Sequence, residues 1–381
     1  MTVERSSTYV AEFASRTQKL LDSHGPDAVV AGASVDFSSS TQIGVTTTPL
    51  GWLARRRLRS RTGLQLRFSG SSLVTQEPSP AQPIQIFDRW DPKAVGPKPP
   101  LYDVLAIITT YNELDVIGGL INYLHEQGVR CHVIDNWSTD GTFELVSQLT
   151  TTLPVTIERF PKEGPSEYFE WEPLLERIEE VAHSSDADWV IHHDADEIRQ
   201  SSWAGVRLSD ALWAIDTWGF NCVDHTVIEF RPIDNRWELS DNVLAAFEFC
   251  EFLPNGDRFL QLKAWKPQSQ KVRITAHGGH AAEFEGRRVF PYKFITRHYS
   301  IRSQIHGQRK VLKERQGRWS PTERAKGWHI QYDAYDEQSS FLWDERDLFR
   351  FELLDEFFLI QRLSGVGLPG NPFVGEPSTG G

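Results

Sequence analysis

"VLAIITTYNELDVIGGLINYLHEQGVRCHVID", residues 104–135, decides the fold. Its first seven residues form an unbroken apolar and β-branched run, the pattern of a strand buried on both faces. Ile117, Leu120, Ile121 and Leu124 then recur at helical spacing, with Asn112 as the predicted N-cap and Gly128 as the stop. "CHVID" (131–135) supplies a second buried strand. Strand, helix and strand in this order make one parallel crossover unit.

The alternation continues toward the C-terminus. "STDGTFELVSQL" (138–149) predicts a second helix capped by Ser138 or Thr139, and "VTIERF" (155–160) a third strand. "EWEPLLERIEEVAHS" (170–184) predicts a third helix with Pro173 in its first turn, and "DWVIHHD" (188–194) a fourth strand. The fold class is therefore α/β, with a doubly wound, mostly parallel sheet. Such sheets bind ligands outside the carboxyl ends of their strands. Polar residues collect there three times: at Thr110-Tyr111-Asn112-Glu113, at Asp135-Asn136 and at Asp194-Ala195-Asp196. Strand alternation puts Asp194 and His192 on one side. No G-x-G-x-x-G follows the first strand and no G-x-x-x-x-G-K-[ST] occurs, so a nucleotide held here needs other chemistry.

Composition narrows the function. A net charge of −12 over 381 residues argues against nucleic acid as a partner. Thirteen Trp and 22 Phe are a heavy aromatic load, suited to a core and to surfaces that stack on rings or sugars. Cys131, Cys222 and Cys250 have no disulfide or zinc spacing, which points to a reducing compartment. "MTVERSSTYVAEF" lacks a signal-peptide core, and no apolar run is long enough to span a bilayer. The expectation is a cytoplasmic protein. The basic stretch "ARRRLRSR" (54–61) is the candidate for peripheral contact with the inner face of a membrane.

Domain boundaries follow from texture. Residues 1–75 form an N-terminal extension with an amphipathic helix expected over 8–22, and 76–100 a Pro-rich connector. The main domain spans 101–330. A C-terminal helical segment follows over 331–363, whose apolar stretch 345–363 suits core packing or a homo-oligomer interface, and then a disordered tail over 364–381.

"TTYNE" (109–113), "DNWSTDGT" (135–142) and "HHDADE" (192–197) together, in this order and at strand ends, resemble the motifs of the family 2 glycosyltransferases, whose fold is called GT-A. The last is similar to that family's D-x-D. The resemblance covers about 100–200 and runs more loosely to about 330. It implies a nucleotide-binding N-terminal half and a C-terminal acceptor region. The activity it implies is transfer of a sugar, with inversion, from a nucleotide-diphosphate donor (a UDP-sugar first) to a saccharide or glycolipid acceptor in polysaccharide or glycoconjugate synthesis. By the same resemblance Thr110, Tyr111 and Glu113 border the nucleotide, Asp135 meets the base, and Asp140 lies nearby. Asp194 is placed near ribose and metal, and Asp196 on the metal. Asn136 departs from the family's common second aspartate, which leaves the base open.

The chemistry explains the residue types. Negative charge grows on the leaving diphosphate, and Mn2+ or Mg2+ on carboxylates offsets it. "RHYSIRSQ" (297–304) brings His298 as a third metal-ligand candidate, and Arg302 and Lys310 as diphosphate candidates, with Ser300 as an expected helix cap. A base must take the acceptor proton. The family's usual E-D pair is missing, so His280 and Glu283 in "HGGHAAEFEG" (277–286) stand as candidates, with Asp224 as a competitor. Trp265 and the stretch 327–338 are candidates for lining a sugar pocket. Two other readings remain open: a nucleotidyltransferase, and a catalytically silent nucleotide- or carbohydrate-binding protein of the same fold.

Overall fold

The structure is a computed structural model that describes residues 92–351, apart from 202, 204, 240–242, 252–260, 291–292 and 326–332, together with short strands between 29 and 76. The expected helix at 8–22, the basic stretch 54–61, most of the Pro-rich connector, residues 327–332, the end of the expected helix 345–363 and the tail lie outside the described residues. The chain divides into two compact units. The first holds a four-stranded antiparallel sheet in the order Val29–Ala31, Gly44–Thr47, Ser72–Gln76, Gln65–Ser69, and a pair formed by Ser34–Asp36 and Ser40–Gln42.

The second unit, Val95–Phe290 with Phe294–Arg350, carries the chemistry. It opens with β1 (Val104–Thr110), α1 (Leu114–Glu126), β2 (Arg130–Asp135), α2 (Thr142–Leu149), β3 (Val155–Arg159), α3 (Trp171–Ser184) and β4 (Trp189–Asp194). β5 (Glu197–Gln200), α4 (Leu208–Thr217), β6 (Cys222–Val223), β7 (His225–Phe230), β8 (Phe249–Glu251), β9 (Ala264–Trp265), β10 (Phe294–His298) and β11 (Phe349–Arg350) complete two sheets. The larger sheet runs β6-β9-β4-β1-β2-β3, parallel from β4 to β3 and antiparallel at the β9 edge. Strand order reverses between β1 and β4. Every residue of β1 is buried, as its unbroken apolar pattern requires. The second sheet runs β5-β10-β7-β8-β11.

Several local expectations give way to particular contacts. Asn112 does not cap α1: it sits at φ 55°, a left-handed conformation that Asn tolerates better than most residues, and its Oδ1 accepts from Thr139 N at 2.8 Å. Ser138 instead accepts from Asn112 N, and α2 begins only after Gly141 at φ 100°. Gly128 does end α1, at φ +73°, where a Cβ would lie 2.3 Å from Ser209 Oγ. Ser303, not Ser300, caps the helix that follows β10, accepting from His306 N at 3.0 Å. That helix has an α-helical start, Gln304–Gly307, and then becomes π-helical over Gln308–Arg315. Trp265 is fully buried on β9 beside Val190 of β4, so it packs in the core. The described start of 345–363 is a short 3-10 turn followed by β11, because Phe349 and Arg350 pair with Cys250 and Phe249.

Candidate active site

β1 and β4 are neighbours, in register Asp194 to Thr109, and β1 and β2 are in register Thr110 to Asp135. The three polar clusters therefore meet at one edge, at the point where strand order reverses and open α/β sheets bind ligands. A cleft of about 210 Å³ opens there. Thr109, Thr110, Tyr111, Glu113, Asn136, Asp194, Asp196, His298 and Lys310 give it a polar side. Phe169, Trp171 and Trp319, with the aliphatic Leu174, add apolar lining, and Phe169 stacks on Trp171 at 5.9 Å and meets Trp319 edge-on at 5.7 Å.

The two aspartates each face a lysine. Lys263 Nζ donates to Asp194 Oδ2 at 2.6 Å, and Lys310 Nζ donates to Asp196 Oδ2 at 2.7 Å and to Glu113 Oε1 at 2.8 Å. Burial alone would raise both carboxyls; the Lys263 ammonium beside Asp194, and Lys310 with His298 beside Asp196, hold them well below the usual carboxylate range. His298 Nδ1 donates to Glu229 Oε1 at 2.7 Å, while Nε2 lies 3.4 Å from Asp196 Oδ1. Burial works against charge on this ring, but Glu229 and Asp196 prevail and raise it well above the ordinary histidine range.

Behind this front β4 buries two histidines, His192 and His193. His192 Nδ1 donates to the Gly279 carbonyl at 3.0 Å and His193 Nδ1 to the Asp194 carbonyl at 2.8 Å. Burial lowers both to about 3. Asp135 is fully buried, accepts from Ser138 N, and keeps Oδ1 without a hydrogen-bond partner among the described residues. Burial raises its carboxyl.

Other expected site residues lie elsewhere. Asp140 binds the starts of both helices, accepting from Leu114 N and Thr142 N, and does not line the cleft. Arg302 is fully buried away from the cleft, with its guanidinium on Asp115 at 2.8 Å and on Glu113 at 2.5 Å. His280 and Glu283 sit on a loop outside the cleft lining, the first beside Gln261 and the second paired with His277 at 2.6 Å. Asp224 is outside it too, accepting from His225 N and Gln261 N. Sequence patterns passed over Lys263, Glu229, Arg315, Arg318 and Trp319. Arg318 lies 3.9 Å above the Tyr111 ring and donates to Asn136 Oδ1 at 3.2 Å.

A divalent cation needs several converging oxygen or nitrogen donors. Asp194, Asp196 and His298 do not make such a set: each aspartate keeps one oxygen on its own lysine, and both His298 nitrogens point at carboxylates. Among the described residues, one set has ligand atoms within 4.8 Å of one another: Glu113, Asp115 and His306. The Arg302 guanidinium fills it, and Arg302 N donates to His306 Nδ1 at 3.2 Å. As paired here, the described residues leave no set of three donors open to a resident metal.

No protein-family model matches the chain, and no curated protein matches it. Similar solved structures include S. aureus TarS 1–349 in complex with UDP-GlcNAc, at 12% identity over 52% of this chain and 59% of that one, TM-score 0.31. S. aureus TarS 1–349 alone gives 14% identity over 52% and 60%, TM-score 0.33. Core-mannan synthase A (CmsA/Ktr4) from Aspergillus fumigatus, in its Mn/GDP form, gives 10% identity over 59% and 71%, TM-score 0.23. The chain spans between 35% and 60% of the length of the TarS structures. Likeness this weak transfers neither a family nor a substrate.

Proposed function

We propose that the chain is a glycosyltransferase that moves a sugar from a nucleoside-diphosphate donor to an acceptor hydroxyl, in polysaccharide or glycoconjugate synthesis. The observation that carries this reading is the cleft at the β1/β4 reversal, lined by acidic motif residues, a lysine and aromatic rings. Asp135 is fully buried and outside the cleft lining, so its part is to hold Ser138 N and with it the turn that follows Asn136. Thr110, Tyr111 and Asn136 border the cleft itself and are the candidates for meeting the nucleotide. The aromatic rings suit the C–H faces of a sugar, leaving its hydroxyls to the carboxylates.

In the reaction the acceptor oxygen bonds to the anomeric carbon from the side opposite the diphosphate. The C–O bond to phosphate breaks, its electron pair stays on the diphosphate oxygen, and the acceptor proton passes to a carboxylate of the cleft. Preorganised positive charge beside that oxygen lowers the barrier.

A panel of UDP- and GDP-sugars, assayed for hydrolysis and for transfer to saccharide acceptors, tests the reading. Asp196→Ala is expected to lose about 100-fold or more in turnover. Wild-type turnover in that variant would sink the assignment. Because His280, Glu283 and Asp224 lie outside the cleft lining, a binding protein without turnover is the second reading. Nucleotide binding with neither hydrolysis nor transfer across the panel would select it.

A further inference from the structure

We propose that Lys310 and Arg315 together form a diphosphate clamp that takes the place of a divalent metal. This inference rests on the transferase reading and deepens it. Both residues line the cleft, and they stand five apart in sequence. In an α-helix, five residues at about 100° each would set them roughly 140° apart. The helix is π-helical here, with Gln316 N bonded to Val311 O five residues back. A repeat of i to i+5 returns Lys310 and Arg315 to the same side. The irregular turn thus has a local outcome: two cations on one cleft.

Each has capacity left for an anion. An ammonium has three donors, and Lys310 uses two, on Glu113 and Asp196. Among the described residues it has no further partner, so one N–H remains. Its two carboxylate partners, Glu113 at 2.8 Å and Asp196 at 2.7 Å, favour the ammonium form. Arg315 places its guanidinium 5.6 Å from both the Phe169 and Trp319 rings, and among the described residues it pairs with no carboxylate. A guanidinium held on ring faces keeps its N–H edge for phosphate oxygens.

The acidic motif meanwhile has its charge answered without a metal. Lys263 faces Asp194, and Lys310 and His298 face Asp196. An entering Mn2+ would have to displace an ammonium and a ring proton before it found three donors. As the anomeric C–O bond breaks, the electron pair left on the diphosphate is met by the remaining Lys310 N–H and by Arg315.

Calorimetry with UDP and GDP, in excess EDTA and in excess Mn2+, tests this on the full chain. The wild type is expected to bind the preferred nucleotide with Kd values equal to within about twofold in the two conditions. Arg315→Met and Lys310→Met are each expected to weaken binding in EDTA about tenfold or more, and Lys310→Arg to restore most of it. Arg315 is the safer variant, since its guanidinium has no carboxylate partner to orphan. Binding that requires Mn2+, or that is unchanged in Arg315→Met, overturns the clamp and leaves the transferase reading standing. No binding of either nucleotide in either condition overturns both.

Discussion

Asp194 and Asp196 stand two residues apart, yet two different networks begin at them. From Asp194 the charges run to Lys263, then Glu197 and Arg199, and stay within β4, β5 and the segment leading into β9. From Asp196 they run one way through His298 to Glu229, and the other way through Lys310 to Glu113, Arg302 and Asp115. The first network steadies one carboxylate. The second joins the loop after β1, the turn after β4, the second sheet and the π-helical segment. Motif spacing gives no hint of this division, because side-chain partners are set by the fold and not by the local sequence.

The sharpest way to break the contrast is Arg302→Met. The guanidinium is fully buried, and removing it leaves Glu113 and Asp115 without it, at an expected cost of about 3–5 kcal/mol in urea unfolding. Lys263→Met should cost less, about 1–3 kcal/mol, because Arg302 makes three carboxylate hydrogen bonds and Lys263 one, and Glu197 keeps Arg199. Equal losses from the two variants would show that the networks do not differ in weight.

A third variant adds a pH readout beside the first network, whose Arg199 and Lys263 also disfavour charge on His225. His225 donates from Nδ1 to the Gln261 carbonyl, and burial holds its pKa well below the ordinary value. The unfolded chain protonates this ring near pH 6.5 while the folded chain does not, so its contribution to stability shrinks as pH falls below about 6.5. His225→Gln should therefore flatten stability against pH on the acid side, by at most about 1.4 kcal/mol per pH unit. An unchanged slope would mean that the ring is protonated in the fold.

Much of the scaffold was legible in the sequence because it rests on local periodicity. β1 to β4 and α1 to α3 follow apolar patterns, and parallel alternation places Thr110, Asp135 and Asp194 on one edge. What was not legible depends on distant partners. Lys263 is 69 residues from Asp194, and Lys310 is 197 from Glu113. Arg302 had the look of a diphosphate ligand because it lies on a basic stretch, but its burial between two carboxylates could not be read from that stretch. The π-helical turn was equally hidden, since no composition rule separates it from an α-helix of the same residues.

That turn makes chain length itself a specified quantity. A π-helical turn is an α-helical one with a residue to spare, so a deletion between 311 and 315 would leave a good helix behind. It would also rotate everything after it, taking Arg315 and Trp319 away from the cleft and Arg318 off Tyr111 and Asn136 together. Two chains with every charged residue in common, differing only by that one position, would therefore not have the same site. In any alignment of this segment, a gap counts for more than a substitution.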